Sequence, residues 1–334
     1  MEAPAVLGEA GMETAEWYRY FAEREVRGHS PAYEALALGI AADPGLLELI
    51  DGLPEPKRQP NLLLAAVRFL CGPYDEFGRF REWTVRHWTE VRETMLARRT
   101  QTNEAGRCAS LLPVLATLPQ PLALVEVGAS AGLCLYPDRY RYRYDDGPEI
   151  GPAESPVLLT CRTNGKVPVP ERLPEVVWRA GLDLNPIDVR DDEAVRWLEC
   201  LVWPEQADRL ARLRGAVRMA RQDPPRLVRG DAAAALPDLV AAAPAGATVV
   251  VFHSAVMPYL DAGARDRFVA LVRGLRAGGL PVRWISNEGS PRLPSLLPKL
   301  TADLPERRLA FLPALDGEPL AMAGPHGEWL DWLA

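Results

Sequence analysis

The stretch Leu-Val-Glu-Val-Gly-Ala-Ser-Ala-Gly-Leu, residues 124–133, decides the fold. From Leu122 to Val127 every residue but Glu126 is apolar, with little alternation, as in a strand buried on both faces. The strand runs into Gly128, Ser130 and Gly132, small residues that let the backbone turn tightly and come close to a ligand. A helix is expected next, its N-terminus offering unpaired N–H groups. Glu126 places a carboxylate at the strand's end, two residues before the first glycine.

Downstream, short apolar runs alternate with helical patterns, which predicts a parallel sheet with crossover helices. The candidate strands are Val176 to Leu182, Arg226 to Val228, Thr248 to Phe252 and Val282 to Ser286. The helices between them are Glu193 to Ala220, broken at Trp203-Pro204, and Arg265 to Ala277, stopped by Gly278-Gly279. Asp316-Gly317 between Leu309 to Leu315 and Glu318 to Ala323 signals a hairpin that adds antiparallel strands at a sheet edge. An insertion after the first strand alternates Tyr140, Tyr142 and Tyr144 with Arg139, Arg141 and Arg143. It reads as one strand with an aromatic and a basic face.

Upstream, the pattern is helical from Thr14 to about Leu118. Tyr33, Leu36, Ala37 and Ile40 follow Ser30-Pro31 at helical spacing, and Phe80, Trp83, Thr84, His87, Trp88, Val91 and Met95 repeat it. The expected division is a helical substrate-covering domain over residues 1–120 and a nucleoside-binding domain over 121–334, which suits a length of 334 residues. The expected class is α/β, a Rossmann-like mostly parallel sheet with an N-terminal all-helical domain.

Composition narrows the function. Hydrophobic residues at 48% and charged residues at 25% are ordinary for a globular chain. With 38 Lys+Arg against 45 Asp+Glu the net charge is −7, which argues against nucleic acid and anionic membrane surfaces as partners. The cysteines at 71, 108, 134, 161 and 200 form no close pair, and the histidines at 29, 87, 253 and 326 have no metal-site spacing. No metal is expected. The start has no signal-peptide pattern, and the longest weakly charged stretch, Ala232 to Phe252, is broken by Pro237, Asp238, Pro244 and Gly246. A soluble cytoplasmic protein acting on a small molecule is expected; the oligomeric state is not legible.

Polar residues recur at successive strand ends. Asp183 follows the second strand and suits ribose hydroxyls; Asp231 follows the third and could meet an adenine edge; His253 and Ser254 follow the fourth, and Asn287 and Glu288 the fifth. His253 or Glu288 could serve as a general base. Asp and Asn at such places can equally cap the following helix. The loop also spells G-x-S-x-G, and Ser130, Asp231 and His253 stand in the chain order of a hydrolase triad. A nucleophile elbow normally follows several earlier strands, however, whereas Ser130 follows the first. Arg99, Gln101, Asn103, Glu104 and Arg107 concentrate forked donors, amides and a carboxylate, which suits a pocket for a polar substrate, although a solvated junction between helices would also explain them.

Five runs, Pro-Lys-Arg-Gln-Pro-Asn-Leu-Leu at 56–63, Arg-Thr-Gln-Thr-Asn-Glu-Ala-Gly-Arg-Cys at 99–108, Glu-Val-Gly-Ala-Ser-Ala-Gly-Leu at 126–133, Gly-Leu-Asp-Leu-Asn-Pro-Ile-Asp-Val at 181–189 and Trp-Pro-Glu-Gln at 203–206, carry a resemblance over nearly the whole chain. It is to a bacterial family catalogued as domain of unknown function 2332, which implies no activity. More distantly, the strand-end pattern is similar to class I S-adenosylmethionine-dependent methyltransferases. That resemblance implies donor binding by Glu126, Gly128, Ser130 and Gly132, with Asp183 and Asp231 as the second- and third-strand acids. Ser130 stands where glycine is common in those enzymes, and the insertion between the first two acids is long. The leading expectation is a small-molecule methyltransferase using S-adenosylmethionine. The alternatives are a serine ester or amide hydrolase and a non-catalytic nucleoside-sensing module.

Overall fold

A computed structural model describes residues 12–101, 103–277, 281–289 and 310–333. Thr102, Gly278-Gly279 and Leu309 lie outside these residues. Two compact units result: residues 1–102 with 191–211, and residues 103–190 with 212–334. The sequence pattern predicts a single boundary at 120. Here the segment after Asn103 belongs with the sheet, and residues 191–211 belong with the N-terminal helices.

In the first unit, α1 (Thr14–Tyr20) runs on through a π-helical turn at Phe21–Val26 and is followed by α2 (Pro31–Ala41), α3 (Pro44–Asp51), α4 (Pro60–Phe69), α5 (Phe77–Arg86) and α6 (Trp88–Ala97). Ser30 caps α2 by accepting from Tyr33 N, with Pro31 in the first turn, and Asp43-Pro44 does the same for α3. Tyr33, Leu36, Ala37 and Ile40 are buried together with Tyr18, Phe21, Phe80, Val91 and Met95. The helical run containing His87 is interrupted at that residue, whose ring stacks on Trp83 with centroids 4.3 Å apart.

The second unit opens with α7 (Cys108–Ala116) and β1 (Leu122–Val127). β1 is buried along its whole length. Then follow β2 (Arg141–Tyr144), β3 (Leu158–Asn164) and β4 (Val176–Asp183). Next come α8 (Asp192–Leu201), in the first unit, and α9 (Ala207–Gln222), which begins there and continues in the second. β5 (Arg226–Arg229), α10 (Ala232–Ala241), β6 (Thr248–Ser254), α11 (Ala262–Ala277), β7 (Val282–Gly289), β8 (Phe311–Leu315), β9 (Glu318–Pro319), β10 (Ala321–Ala323) and β11 (Trp329–Trp332) complete it. The sheet order is β2-β3-β11-β10-β8-β7-β6-β1-β4-β5, with β9 on β8. β5, β4, β1, β6 and β7 are mutually parallel, and β8 is antiparallel to β7.

The hairpin forms as the sequence predicts. Asp316 and Gly317 both take positive φ, 57° and 88°, between paired Leu315 and Glu318. In the insertion the tyrosines are buried and their hydroxyls are spent: Tyr140 donates to Leu133 O at 2.6 Å, Tyr142 to Pro137 O at 2.7 Å and Tyr144 to Ala109 O at 2.7 Å. Arg141 and Arg143 pair with Glu149. The aromatic rings are therefore core rather than a stacking surface.

One expectation is overturned. No α-helix follows the glycine turn; the chain makes a 3₁₀ turn at Leu133–Leu135 and enters the insertion. Pro137 lies four residues beyond Leu133, where it would break a first helical turn. Among the described residues no helix is long and apolar enough to cross a membrane.

Candidate functional site

Parallel register decides which side chains share a face of the sheet. Glu126 pairs with Phe252 on β6 and with Gly181 on β4, and Ser254 pairs with Asn287 on β7. Since alternate residues face the same way, Glu126, Ser254, Asn287 and Asp183 lie on one face at the carboxyl ends of four strands. His253, paired with Ser286, and Glu288 lie on the other face. There the His253 ring contacts Phe268 of α11, 5.2 Å between centroids, and Trp284, 6.0 Å away.

Internal contacts stitch the glycine turn together. Gly128, Ser130 and Gly132 take φ of 74°, 49° and 70°, a run that only small residues tolerate. Gly128 N and Ala129 N donate to Leu182 O, at 2.8 and 3.2 Å, and Gly132 N donates to Ala129 O at 2.6 Å. Ser130 N donates to Asp183 Oδ2 at 2.8 Å, and Ala131 N donates to Asn103 Oδ1 at 2.8 Å. Asn103 Nδ2 in turn donates to Ser130 Oγ at 2.8 Å. Gly181 is required by close approach, because a Cβ there would lie 2.6 Å from Ala129 Cβ. Each backbone N–H from Gly128 to Gly132 already has an acceptor, so the turn is a braced corner and not an open anion cradle.

What faces the turn is largely side-chain oxygen. Glu126 is 5% exposed, and its Oε2 is buried without a hydrogen-bond partner among the described residues. Burial drives its pKa well above the ordinary carboxylate value, Cys134 and Asp183 add to this, and Arg107 opposes it. Asn287, fully buried, donates from Nδ2 to Ser254 Oγ at 3.0 Å and leaves Oδ1 without a partner among the described residues. Asp183 also accepts from Asn185 N at 2.7 Å.

The residues taken as substrate-binding divide. Arg99 and Gln101 belong to the first unit, where Arg99 O accepts from Trp197 Nε1 at 2.8 Å. Asn103, Glu104 and Arg107 belong to the second. Asn103 braces the glycine turn. Glu104 is buried and accepts from Gly106 N at 2.9 Å and from Arg212 Nε at 2.8 Å, with His326 Nδ1 3.4 Å from its other oxygen. Arg107 donates from Nε to Pro325 O at 3.0 Å and from Nη1 to Ser254 O at 3.2 Å.

Three residues expected to be catalytic or donor-binding are engaged elsewhere. Asp231 is exposed and caps α10, accepting from Ala233 N at 2.9 Å. His253 is fully buried, with Nδ1 2.6 Å from Glu288 Oε1 and no partner for Nε2. Glu288, also fully buried, accepts further from Val256 N at 2.8 Å and from Met257 N at 3.2 Å. It holds the loop after β6, in which Ala255 takes a positive φ of 58°.

Sequence reasoning missed Tyr259, in the 3₁₀ turn Met257–Tyr259 that ends this loop. Tyr259 lies within electrostatic reach of Arg107, Asp183 and Glu288, and burial raises its pKa, so it remains a neutral phenol. Its signal was its place in the loop after the fourth strand, since strand-end loops of open α/β sheets line the ligand crevice. Among the described residues no group of three or more His, Cys, Asp or Glu could hold a metal ion, and all five cysteines are free.

Comparison with curated proteins and with solved structures finds no match to this chain. A family model does match, over residues 15–332, nearly the whole chain including every residue of the site. The chain belongs to the bacterial family described as "Uncharacterized protein conserved in bacteria (DUF2332)".

Proposed function

We propose that the second unit is a Rossmann-like domain that binds S-adenosylmethionine at the carboxyl ends of β4, β1 and β6, and that the protein is a small-molecule methyltransferase. The observation that carries this reading is the pairing of a braced glycine turn with the carboxylate of Asp183, beside the buried, partnerless Oε2 of Glu126. The order β5-β4-β1-β6-β7 supports it: after β1 the chain adds β4 and β5 on one side, then crosses back to add β6 and β7 on the other, so the strand order reverses between β1 and β6, and such switch points are where open α/β sheets bind ligands.

The residues present fit a nucleoside with an amino-acid end. Such a ligand carries several N–H and O–H donors, and this site offers Asp183, Glu126 and Asn287 oxygens rather than free backbone amides. When bound, S-adenosylmethionine supplies a methyl group activated on a sulfonium. Asp183 would take the ribose hydroxyls while retaining its bonds to Ser130 N and Asn185 N. The turn, held by Asn103, would fix the distance between ligand and sheet. The protein's contribution is then mainly proximity and orientation. Asp231, as a helix cap, has no part in this scheme. His253 and Glu288 serve as a brace on the opposite face, so a hydroxyl acceptor would lose its proton to another group or to solvent.

Titration calorimetry with S-adenosylmethionine and its demethylated product tests the reading. Binding is expected, and Asp183→Ala should weaken it by roughly 1–3 kcal/mol through lost hydrogen bonds. Absence of heat and of thermal shift at millimolar ligand overturns it, while binding without turnover on a broad acceptor panel turns it into the sensing module.

The hydrolase reading lacks its triad. Asp231 caps α10 and does not orient His253, whose Nδ1 is held by Glu288. A fluorophosphonate probe is expected to leave Ser130 unlabelled, and labelling abolished by Ser130→Ala would restore that reading.

A further inference from the structure

Arg107 is only 6% exposed, yet its guanidinium has no ion-pair partner among the described residues. Buried arginines are almost always paired. Two of its N–H groups meet the carbonyls of Pro325 and Ser254, and one face lies over the Phe311 ring, 5.1 Å from the centroid. A guanidinium carries five N–H donors, so others remain available, and neutral carbonyls do not balance its charge.

A second donor without a protein partner among the described residues lies in the loop that Arg107 contacts. The Tyr259 hydroxyl makes no hydrogen bond among the described residues, whereas Tyr136, Tyr140, Tyr142 and Tyr144 each donate to a carbonyl. Tyr259 is half-buried, so its hydroxyl is held near the site and still open to a ligand. The turn that carries it is fixed from several sides: Val256 N and Met257 N donate to Glu288, Arg265 Nε donates to Met257 O at 2.8 Å, and Tyr259 N donates to Val256 O at 3.0 Å. Val256 itself packs against Gly128, where any added Cβ would collide with its side chain. Arg107 Nη1 donates to Ser254 O at the start of the loop that carries Tyr259, and Val256 of the same loop packs on Gly128, so Arg107 and Tyr259 both lie beside the glycine turn. No backbone amide of that turn is free to receive an anion.

We propose that Arg107 and Tyr259 form a carboxylate-binding subsite beside the glycine turn, the guanidinium and the phenolic O–H together receiving one carboxylate of a small-molecule ligand. The inference rests on the nucleoside reading for the choice of one probe only. The carboxylate has two possible sources: the amino-acid end of the methyl donor, or a carboxylic acid bound beside it.

The experiment compares wild type with Tyr259→Phe and Arg107→Met. Calorimetry uses S-adenosylhomocysteine, which has the carboxylate, and 5′-methylthioadenosine, which lacks it. Thermal-shift titration uses sodium acetate and sodium benzoate at constant ionic strength. Because the phenol has no bond to lose among the described residues, ligand-free Tyr259→Phe should keep the wild-type midpoint, and it carries the test should Arg107→Met fail to fold.

A donor carboxylate predicts that Tyr259→Phe binds S-adenosylhomocysteine about tenfold more weakly and 5′-methylthioadenosine unchanged. A separate acid predicts unchanged nucleoside binding, with acetate or benzoate raising the midpoint of wild type but not of the variant. Unchanged S-adenosylhomocysteine affinity together with an unchanged response to both acids overturns the proposal. If wild type binds neither nucleoside but shows a carboxylate shift that Tyr259→Phe removes, the nucleoside reading falls and the subsite stands. No binding and no shift overturns both.

Discussion

Glu288→Ala is expected to lower the thermal midpoint by on the order of 10 °C, the largest effect of any single substitution considered. The carboxylate is fully buried and serves three donors: His253 Nδ1, Val256 N and Met257 N. Alanine removes both acceptor oxygens and with them all three hydrogen bonds, and leaves the donors buried, a loss on the order of 3–5 kcal/mol. It also frees Ala255 to leave its left-handed conformation, so the loop carrying Tyr259 would lose its shape. A residue whose only task was proton transfer would show unchanged or improved stability when replaced. Differential scanning calorimetry settles the point. Asp231→Ala is the control, since an exposed cap is worth only about 1 kcal/mol.

Glu126→Gln is expected to stabilise the protein above neutral pH and to do little near pH 4. An acid whose folded pKa exceeds its unfolded one binds its proton more tightly when folded. Its contribution is complete below the unfolded pKa and is lost as pH rises through the folded one. Burial, Cys134 and Asp183 all push the Glu126 carboxyl up, so wild type should lose stability on the alkaline side, and glutamine, which carries no proton to surrender, should not. Glu25, pushed up to about 7 by burial, contributes a slope of the same sign in the first unit. Only the difference between wild type and Glu126→Gln across pH 5–9 isolates the site. Equal midpoints across that range would mean that Glu126 is ionised and already balanced.

Local signals carried the strands well. β1 matches its expected limits because six consecutive buried residues end at a glycine. The hairpin at Asp316-Gly317 was legible because only positive φ at both positions closes so tight a turn. The helix expected after Gly132 was not there, although Pro137 was a readable objection. Other features were beyond local reading because they join distant residues. Nothing near Arg107 announces that Pro325 O and Ser254 O will be its acceptors, and nothing near His253 announces Glu288 on the neighbouring strand. Asn103 was read as a ligand group for its amide, and the amide instead braces Ser130 and Ala131. A side chain's chemistry was thus visible before its partner was, and partnership decides whether that chemistry is available.

Strand β3 lies between β2 and β11, and pairs with β11 in parallel register at Arg162, Thr163 and Asn164. During synthesis the ribosome must therefore release about 170 further residues before β3 acquires its second neighbour. The first unit waits too, because residues 191–211 belong to it. Until Trp332 emerges, the insertion that follows the glycine turn presents an unpaired edge, open to pairing with another chain. Nascent chains halted before β11 should be markedly more prone to aggregate and to protease attack than finished ones, with assembly completed only after release.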